Sequence, residues 1–145
     1  MLRAFTLGII SALLAFQIQA EQKLQVGQFD IHYSTFASTF LTPEIATRYG
    51  IKRSRYNGLL NISIIDSKQS ESHPHAVAAQ LSGQVRALTG TIEPLEFKEI
   101  REGDAIYYLA QFEHRNQDQY HFTVAIQTAT GLNTKLNFNK TFYVD

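Results

Sequence analysis

Hydrophobic and polar residues alternate along most of the chain after its first twenty positions. Because successive side chains of a strand point to opposite faces, an alternating run has one face to bury. β-branched and aromatic residues, which are frequent in these runs, suit the surface of a sheet. The apolar positions of the clearest runs are Phe29, Ile31 and Tyr33; Leu60, Ile62 and Ile64; Ile106, Tyr108, Ala110 and Phe112; Tyr120, Phe122, Val124 and Ile126; Leu136 and Phe138; and Phe142 and Val144.

Short polar segments separate the strands of the second half. A Glu-Gly-Asp turn at 102–104 links a strand over 95–101 to one over 105–112, and the polar segment 113–119 leads to a strand over 120–128. Consecutive strands joined by short polar loops are typical of an antiparallel meander. We therefore predict that these three strands pair in chain order.

One segment carries the signals of a short helix. Thr42 is a capping residue, Pro43 takes the first helical position and Glu44 lies in the first turn. Gly50 stands where such a helix would end. The pattern predicts one short helix from Pro43 to Tyr49.

Two other segments are ambiguous. Asn57-Gly58 is typical of a turn or a bulge beside a strand over 59–65. Residues 76–88 fit both an alternating strand and a helical stripe. We favour a strand there, because Gly83 lies in the middle and the neighbouring segments are strands.

About seven strands with almost no helix predict an all-β fold. We expect an immunoglobulin-like antiparallel β-sandwich, without the cysteine pair and the buried tryptophan that are usual in such domains, since the chain has no Cys and no Trp. No linker divides residues 21–145, so we expect a single domain.

Charge and cysteine content exclude several classes of function. The 13 basic and 13 acidic residues cancel, which argues against a nucleic-acid-binding protein, because such proteins gain affinity by neutralising phosphates. The absence of cysteine excludes disulfides, thiolate metal sites and cysteine nucleophiles.

The first twenty residues have the three parts of a secretory signal. Arg3 gives a positive start, residues 4–16 carry no charge, and Ala20 provides a small residue before Glu21. The uncharged stretch is shorter than the roughly 20 apolar residues that span a bilayer. We expect cleavage after Ala20 and export to the periplasm, with no membrane span in the mature chain.

Three blocks of sequence resemble a known family. They are residues 33–44 (YSTFASTFLTPE), 49–63 (YGIKRSRYNGLLNIS) and 95–108 (LEFKEIREGDAIYY). Together they are similar to domain-of-unknown-function family 4426, whose members look like small secreted proteins of Gram-negative bacteria. The resemblance implies a periplasmic single domain with no assigned activity, and it supplies no catalytic residues.

His73-Pro74-His75 is a candidate metal site. Two imidazoles on one loop would serve Zn²⁺ or Cu²⁺ if further ligands lay near them. The candidates for these further ligands are Glu71, His32, His114 and His121. The alternative is a solvated loop that Pro74 stiffens.

Arg53, Arg55 and Tyr56 are a candidate binding surface, to which we add Arg101. Two guanidiniums beside a tyrosine suit a carboxylate, a phosphate or a partner protein. The alternative is structural: Arg53 or Arg55 would form an ion pair that pins the short helix to the sheet. The candidate acidic partners are Glu99, Glu102 and Asp104.

Two further clusters have a functional and a structural interpretation. One is a charged turn whose carboxylates would divide acid and base roles or would simply keep a hairpin end soluble: Glu96, Lys98, Glu99, Arg101, Glu102 and Asp104. The other is a set of aromatic residues that would line a pocket or form core under the helix: Phe36, Phe40, Tyr49 and Tyr56. We favour the structural interpretation of both.

No catalytic or cofactor-binding motif is present in the sequence. We therefore expect a non-enzymatic binding or protein-interaction module without a cofactor, whose partner is a periplasmic protein or a small ligand. The alternatives are a metal-handling protein that uses His73 and His75, and a hydrolase whose site the sequence does not reveal.

Overall fold

A computed structural model describes residues 22–68 and 75–144. Within these ranges the chain forms one α-helix, α1 (Pro43–Arg48), one 3-10 helix (Ser38–Phe40) and ten strands. The strands are β1 (Gln22–Val26), β2 (Phe29–Ala37), β3 (Asn57–Asp66), β4 (His75–Ala76), β5 (Gln80–Ala87), β6 (Ile92–Leu95), β7 (Lys98–Glu102), β8 (Ala105–Glu113), β9 (Gln119–Gln127) and β10 (Asn133–Thr141).

The strands form two antiparallel sheets. The first has the order β1-β2-β3-β8-β7, with the short β4 also paired to β3, and the second has the order β10-β9-β5-β6. Strands β2-β3-β8-β7 and β5-β9-β10 follow the ABED and CFG orders of an immunoglobulin sandwich. The predicted all-β sandwich is confirmed. The described residues form ten strands instead of the expected seven. One reason is that the chain crosses from the second sheet to the first between β6 and β7.

The main core lies between the two sheets. Ile62 and Ile64 of β3 face this layer from the first sheet, and Phe122 and Val124 of β9 face it from the second; all four are fully buried. Burial of a large apolar side chain stabilises a fold by about 1.5–3 kcal/mol. The alternating runs of the sequence therefore correspond to the inner faces of the sandwich.

The predicted meander is wrong at its last step. Strands β7 and β8 pair as expected, but β9 pairs with β5 and β10 in the other sheet. The buried faces of β8 and β9 instead meet across the core, where the rings of Phe112 and Phe122 lie 4.9 Å apart. Alternation shows that a strand has one buried face, but it does not show which strand lies beside it.

The glycine of the predicted turn at Asn57-Gly58 has another role. Both residues belong to β3, so the turn interpretation is wrong. A Cβ on Gly58 would lie 2.5 Å from Cζ of Phe112, so only glycine fits beneath this ring.

The ambiguous segment 76–88 contains the end of β4 and all of β5, which confirms the strand interpretation.

Helix α1 covers the outer face of the first sheet. Thr42 caps it by accepting a hydrogen bond from the backbone N–H of Ile45 at 3.3 Å, and Tyr49 follows the last helical residue. Behind the helix, Ala46 and Ile51 pack on Leu59 of β3 to form a second, smaller core. The predicted helix is confirmed, one residue shorter than expected. In the described part of the chain, no helix is long and apolar enough to cross a membrane.

Candidate functional site

An open cleft of about 970 Å³ lies at one end of the sandwich. It lies where β3 and β6 begin and where β5 and β8 end. The buried side chains of Val85, Phe112 and Tyr120 contribute to its lining. Its charged lining residues carry both signs: Lys52, Glu93, Glu113, Arg115 and Asp118. An apolar floor with a few polar groups is the usual composition of a ligand site.

Like Tyr120, His114 is a buried titratable residue of this cleft. Only 4% of its surface is exposed, and its ring stacks on Phe142 with the centroids 4.8 Å apart. Its Nδ1 has no hydrogen-bond partner among the described residues. Burial lowers the pKa of His114, which favours the neutral imidazole.

The segment 142–144 closes this end of the molecule. The N–H of Phe142 donates to the carbonyl of Asp118 at 3.1 Å, and the N–H of Gln117 donates to the carbonyl of Phe142 at 2.7 Å. The N–H of Val144 donates to Oδ1 of Asn116 at 2.9 Å. The loop after β8 and the last described residues are therefore held together around the buried histidine.

Exposed apolar side chains gather at the same end. They follow β2, β5 and β10 or stand at the start of β3 and β6: Phe40, Tyr56, Leu88, Ile92 and Tyr143, each at least 53% exposed. Exposed apolar groups that cluster around a cleft are typical of a surface that binds a partner.

The structure gives partners for two arginines of the predicted binding surface, Arg53 and Arg101. Arg53 donates from Nε to the carbonyl of Leu41 at 2.8 Å and from a terminal nitrogen to the carbonyl of Thr39 at 3.3 Å. It therefore fastens the loop before α1 to the loop after it. The predicted ion pair of Arg53 with the charged turn is wrong, because its guanidinium is turned toward these carbonyls.

The other predicted surface residues belong to two segments, since Arg101 is on β7 and Arg55 and Tyr56 directly precede β3. Arg101 pairs with Glu99 of its own strand at 3.4 Å, and both side chains are exposed. Arg55 is exposed beside Tyr56. Of these residues, only Tyr56 is among the described side chains that line the cleft.

The predicted metal site is only partly covered by the structure. His73 lies outside the described residues, and His75 is exposed on β4 opposite Asp66. Residues 22–68 and 75–144 contain no group of three or more His, Asp or Glu side chains arranged for a metal ion. His32 lies on β2 of the first sheet, and His121 lies on β9 of the second sheet. Among the described residues, neither forms such a group with His114.

The charged turn fastens the α1 segment to β7. Tyr49 donates to Oε1 of Glu102 at 2.6 Å, which raises the pKa of Tyr49, and Nζ of Lys98 donates to the carbonyl of Tyr49. Tyr108 donates to Oε1 of Glu99 at 2.8 Å, which lowers the pKa of Glu99. A carboxyl group with a lowered pKa is a poor general acid.

The aromatic set divides in two. Phe36 and Tyr49 pack against the small core under α1, as the structural interpretation predicted. Phe40 and Tyr56 are 83% and 53% exposed, so the prediction that they form core is wrong.

From the sequence, His114 is predicted only as a possible metal ligand, and the cleft at the end of the sandwich is not predicted. The residues of the cleft come from separate loops that the sandwich brings together. The available signals were two single aromatic residues, Phe112 at the end of β8 and Phe142 after β10, and no periodicity connects them.

Comparison with known proteins gives a family and a fold. The profile of domain-of-unknown-function family DUF4426 matches residues 23–145. A DUF4426 family protein from Pseudomonas aeruginosa has 34% sequence identity and a TM-score of 0.75, over 88% of this chain and 98% of that chain. A search of curated proteins gives no match.

A second solved protein shares the fold at low sequence identity. FetP of uropathogenic Escherichia coli strain F11, recombinantly expressed in the periplasm of E. coli, has 12% identity and a TM-score of 0.62, over 86% of this chain and 95% of that chain. A copper-bound variant of FetP has 11% identity and a TM-score of 0.59, over 86% and 91%.

Proposed function

Because this chain belongs to the DUF4426 family, whose description names no activity, we propose its function from its own geometry: a non-enzymatic, exported binding module. The observation that carries the proposal is the coincidence of the cleft with the exposed apolar side chains at one end of the sandwich. Tyr56 belongs to both features. The partner is a periplasmic protein that docks on this end and inserts a side chain into the cleft.

Export is part of the proposal. It is supported by the charge pattern of residues 1–20, which lie outside the described residues. An N-terminal sequence of the protein recovered from the cell envelope tests it. We expect the mature chain to begin at Glu21.

The composition of the end supports a protein partner. Partner surfaces are enriched in tyrosine and other aromatic residues at their centre and carry a polar rim. Here Tyr56 and Tyr143 are exposed, while Lys52, Glu93 and Asp118 line the cleft between the surrounding loops.

Site-specific photo-crosslinking in the native cell envelope tests this proposal. A crosslinker at position 56 is expected to capture one discrete partner, and the variant Leu88→Ser with Tyr143→Ser is expected to abolish the product. The matched control is Ile45→Ser, because Ile45 is an exposed apolar residue of α1 that does not line the cleft. An unchanged product in the double variant, or equal loss in the control, would refute the binding end.

Metal handling is the second candidate function, because a structural neighbour is described with bound copper. In this chain it would use His73 and His75. Equilibrium dialysis with Cu²⁺ and with Zn²⁺ tests it, comparing the wild type with the double variant His73→Ala, His75→Ala. Binding weaker than about micromolar, or binding that the double variant retains, would exclude a metal site on this loop.

A further inference from the structure

The outer face of the second sheet carries rows of polar side chains across β5, β9 and β10. The strand register places outward-facing residues side by side. From one end to the other the rows are Arg86, His121 and Asn139; Gln84, Thr123 and Asn137; Ser82, Ala125 and Lys135; and Gln80, Gln127 and Asn133. The residues between them along each strand face the core.

No carboxylate stands in these rows, although the chain has 13 acidic residues. Most positions carry an amide or a hydroxyl group, and the formal positive charges come from Arg86 and Lys135. These two residues are four positions apart in the register, about 13 Å along the strands at roughly 3.3 Å per residue. The face therefore offers many neutral hydrogen-bonding groups and a sparse positive charge.

Side-chain hydrogen bonds between β9 and β10 fix part of this face. Nδ1 of His121 lies 2.6 Å from Oδ1 of Asn139, and the hydroxyl of Thr123 donates to Oδ1 of Asn137 at 2.9 Å. In this arrangement His121 donates from Nδ1, so both asparagines accept through their carbonyl oxygens. Their amide NH₂ groups then remain available as donors, and so does Nε2 of His121 as an acceptor.

A shallow hollow of about 220 Å³ lies at one end of the face. Arg86, His121 and Asn139 contribute to its lining, together with Gln119. A guanidinium and an amide NH₂ group around one hollow suit an anionic oxygen group, because a guanidinium pairs with a carboxylate in a two-pronged geometry. Nε2 of His121 would accept a hydrogen bond from a neighbouring hydroxyl group.

We infer that this face binds an acidic polysaccharide, a polymer of uronic acids that presents both hydroxyl groups and carboxylates. The hydroxyl groups match the amide rows, and the carboxylates match Arg86 and Lys135. An acidic peptide such as polyglutamate would present carboxylates without the hydroxyl groups that the amide rows match. In an exported protein such a polymer is part of the cell envelope, and this source rests on the proposed export. The hollow adjoins the end cleft at Ala87 and Tyr120, but Arg86, His121 and Asn139 do not line the cleft.

Titration with defined oligomers tests the inference. The probe is an octamer of α-1,4-linked galacturonic acid, followed by backbone amide NMR of the full mature chain. We expect shifts at His121, Thr123, Asn137 and Asn139, and binding that weakens as salt is added. A neutral galactose octamer and an octaglutamate peptide are the comparison ligands, and both should bind at least about tenfold more weakly.

Charge reversal locates the site. Arg86→Glu with Lys135→Glu is expected to weaken binding of the galacturonate octamer by about tenfold or more. The matched control is Lys23→Glu with Lys68→Glu, which makes the same change in net charge at exposed positions outside this sheet. Circular dichroism checks that both double variants fold.

Four results would overturn the inference: no binding of the galacturonate octamer, equal binding of the neutral octamer, equal binding of octaglutamate, or equal loss in the two charge-reversal variants. The variant Phe40→Ser with Tyr143→Ser separates the two proposals, because neither residue lines the hollow. It should lose the partner at the cleft and keep the galacturonate octamer, so that either surface can fail without the other.

Discussion

The outer faces of the two sheets differ in how far they are buried. On the first sheet, Leu59 points away from the main core and is still fully buried, because Ala46 and Ile51 of the α1 segment pack over it. On the second sheet, the corresponding outward positions of β9 carry Thr123 and His121, which are hydrogen-bonded side chains at a surface that no described segment covers. One face serves stability, and the other is left available for contact.

The burial patterns of the two central strands, β3 and β9, show this difference between the outer faces. Strand β3 contains Leu59 and Leu60 in succession, both with no exposed surface, which is the mark of a strand buried on both faces. Strand β9 alternates strictly between buried and half-buried residues. Consecutive apolar residues in an otherwise alternating strand therefore indicate an additional layer on top of the sheet.

The largest expected effect is at the covered face. Leu59→Ala should lower the free energy of unfolding by about 2–5 kcal/mol, as for a fully buried leucine in a main core. Denaturant unfolding measures it, with Leu60→Ala on the inner face as the reference. A cost below about 1 kcal/mol for Leu59 alone would mean that the α1 segment is only loosely applied to the sheet.

A smaller loss of stability is expected at Gly50, which lies just after the end of α1. Gly50 has a φ of +67°, which L side chains adopt at a cost of about 1–2 kcal/mol, so Gly50→Ala should destabilise the protein by that amount. Gly27→Ala is the matched control, since its φ is +58° and no atom lies within 4 Å of the added Cβ. At Gly50 the Cβ would meet Nζ of Lys98 at 3.3 Å.

The stability losses of Gly50→Ala and Gly27→Ala can differ in either direction. A larger loss at Gly50 than at Gly27 would measure how much the Lys98 contact adds to the cover. If Gly50→Ala were the milder change, Lys98 would move aside freely and its bond to Tyr49 would contribute little.

A pH effect is expected where the two sheets meet. Burial lowers the pKa of His114 from its usual value of 6.5, so the folded protein takes up a proton at lower pH than the unfolded chain does. The stability that this provides is present above pH 6.5 and is lost as the pH falls from that value toward the lowered pKa of the folded state. Urea unfolding at several pH values, for the wild type and for His114→Leu, measures it.

The difference between these two unfolding series isolates His114 from the carboxyl groups. We expect the wild type to lose more stability than the variant between pH 7 and pH 5, a range around the usual histidine pKa of about 6.5. Parallel curves would mean that water reaches the ring. The charged groups that line the same cleft are Lys52, Glu93, Glu113, Arg115 and Asp118.

The sequence predicted the elements of this molecule better than their arrangement. The capping signals at Thr42 and Gly50 and the alternation of β9 act locally, so they can be read from neighbouring residues. The pairing of β9 with β5 and the contact of Gly58 with Phe112 depend on residues far apart in the chain. The meander and the Asn57-Gly58 turn were wrong for this reason.

The candidate site was harder to predict than the fold. The structural alternative for Arg53 was an ion pair, but its partners are backbone carbonyls, which no sequence pattern identifies. The cleft around His114 is formed by loop ends and strand ends that only the sandwich topology brings together. The exposed polar rows require the register of β5, β9 and β10 before they can be seen at all.

The smallest expected effect is at the open face. Thr123→Val removes a hydroxyl that donates to Asn137 at 2.9 Å at an exposed site, and it keeps a β-branched side chain that suits a strand. The free energy of unfolding should therefore change by less than about 0.5 kcal/mol, against several for Leu59→Ala. Equal thermal unfolding of wild type and variant would show that this row is not needed for the fold. A loss above about 1 kcal/mol would instead make the polar rows part of the scaffold, and the contrast between the two faces would disappear.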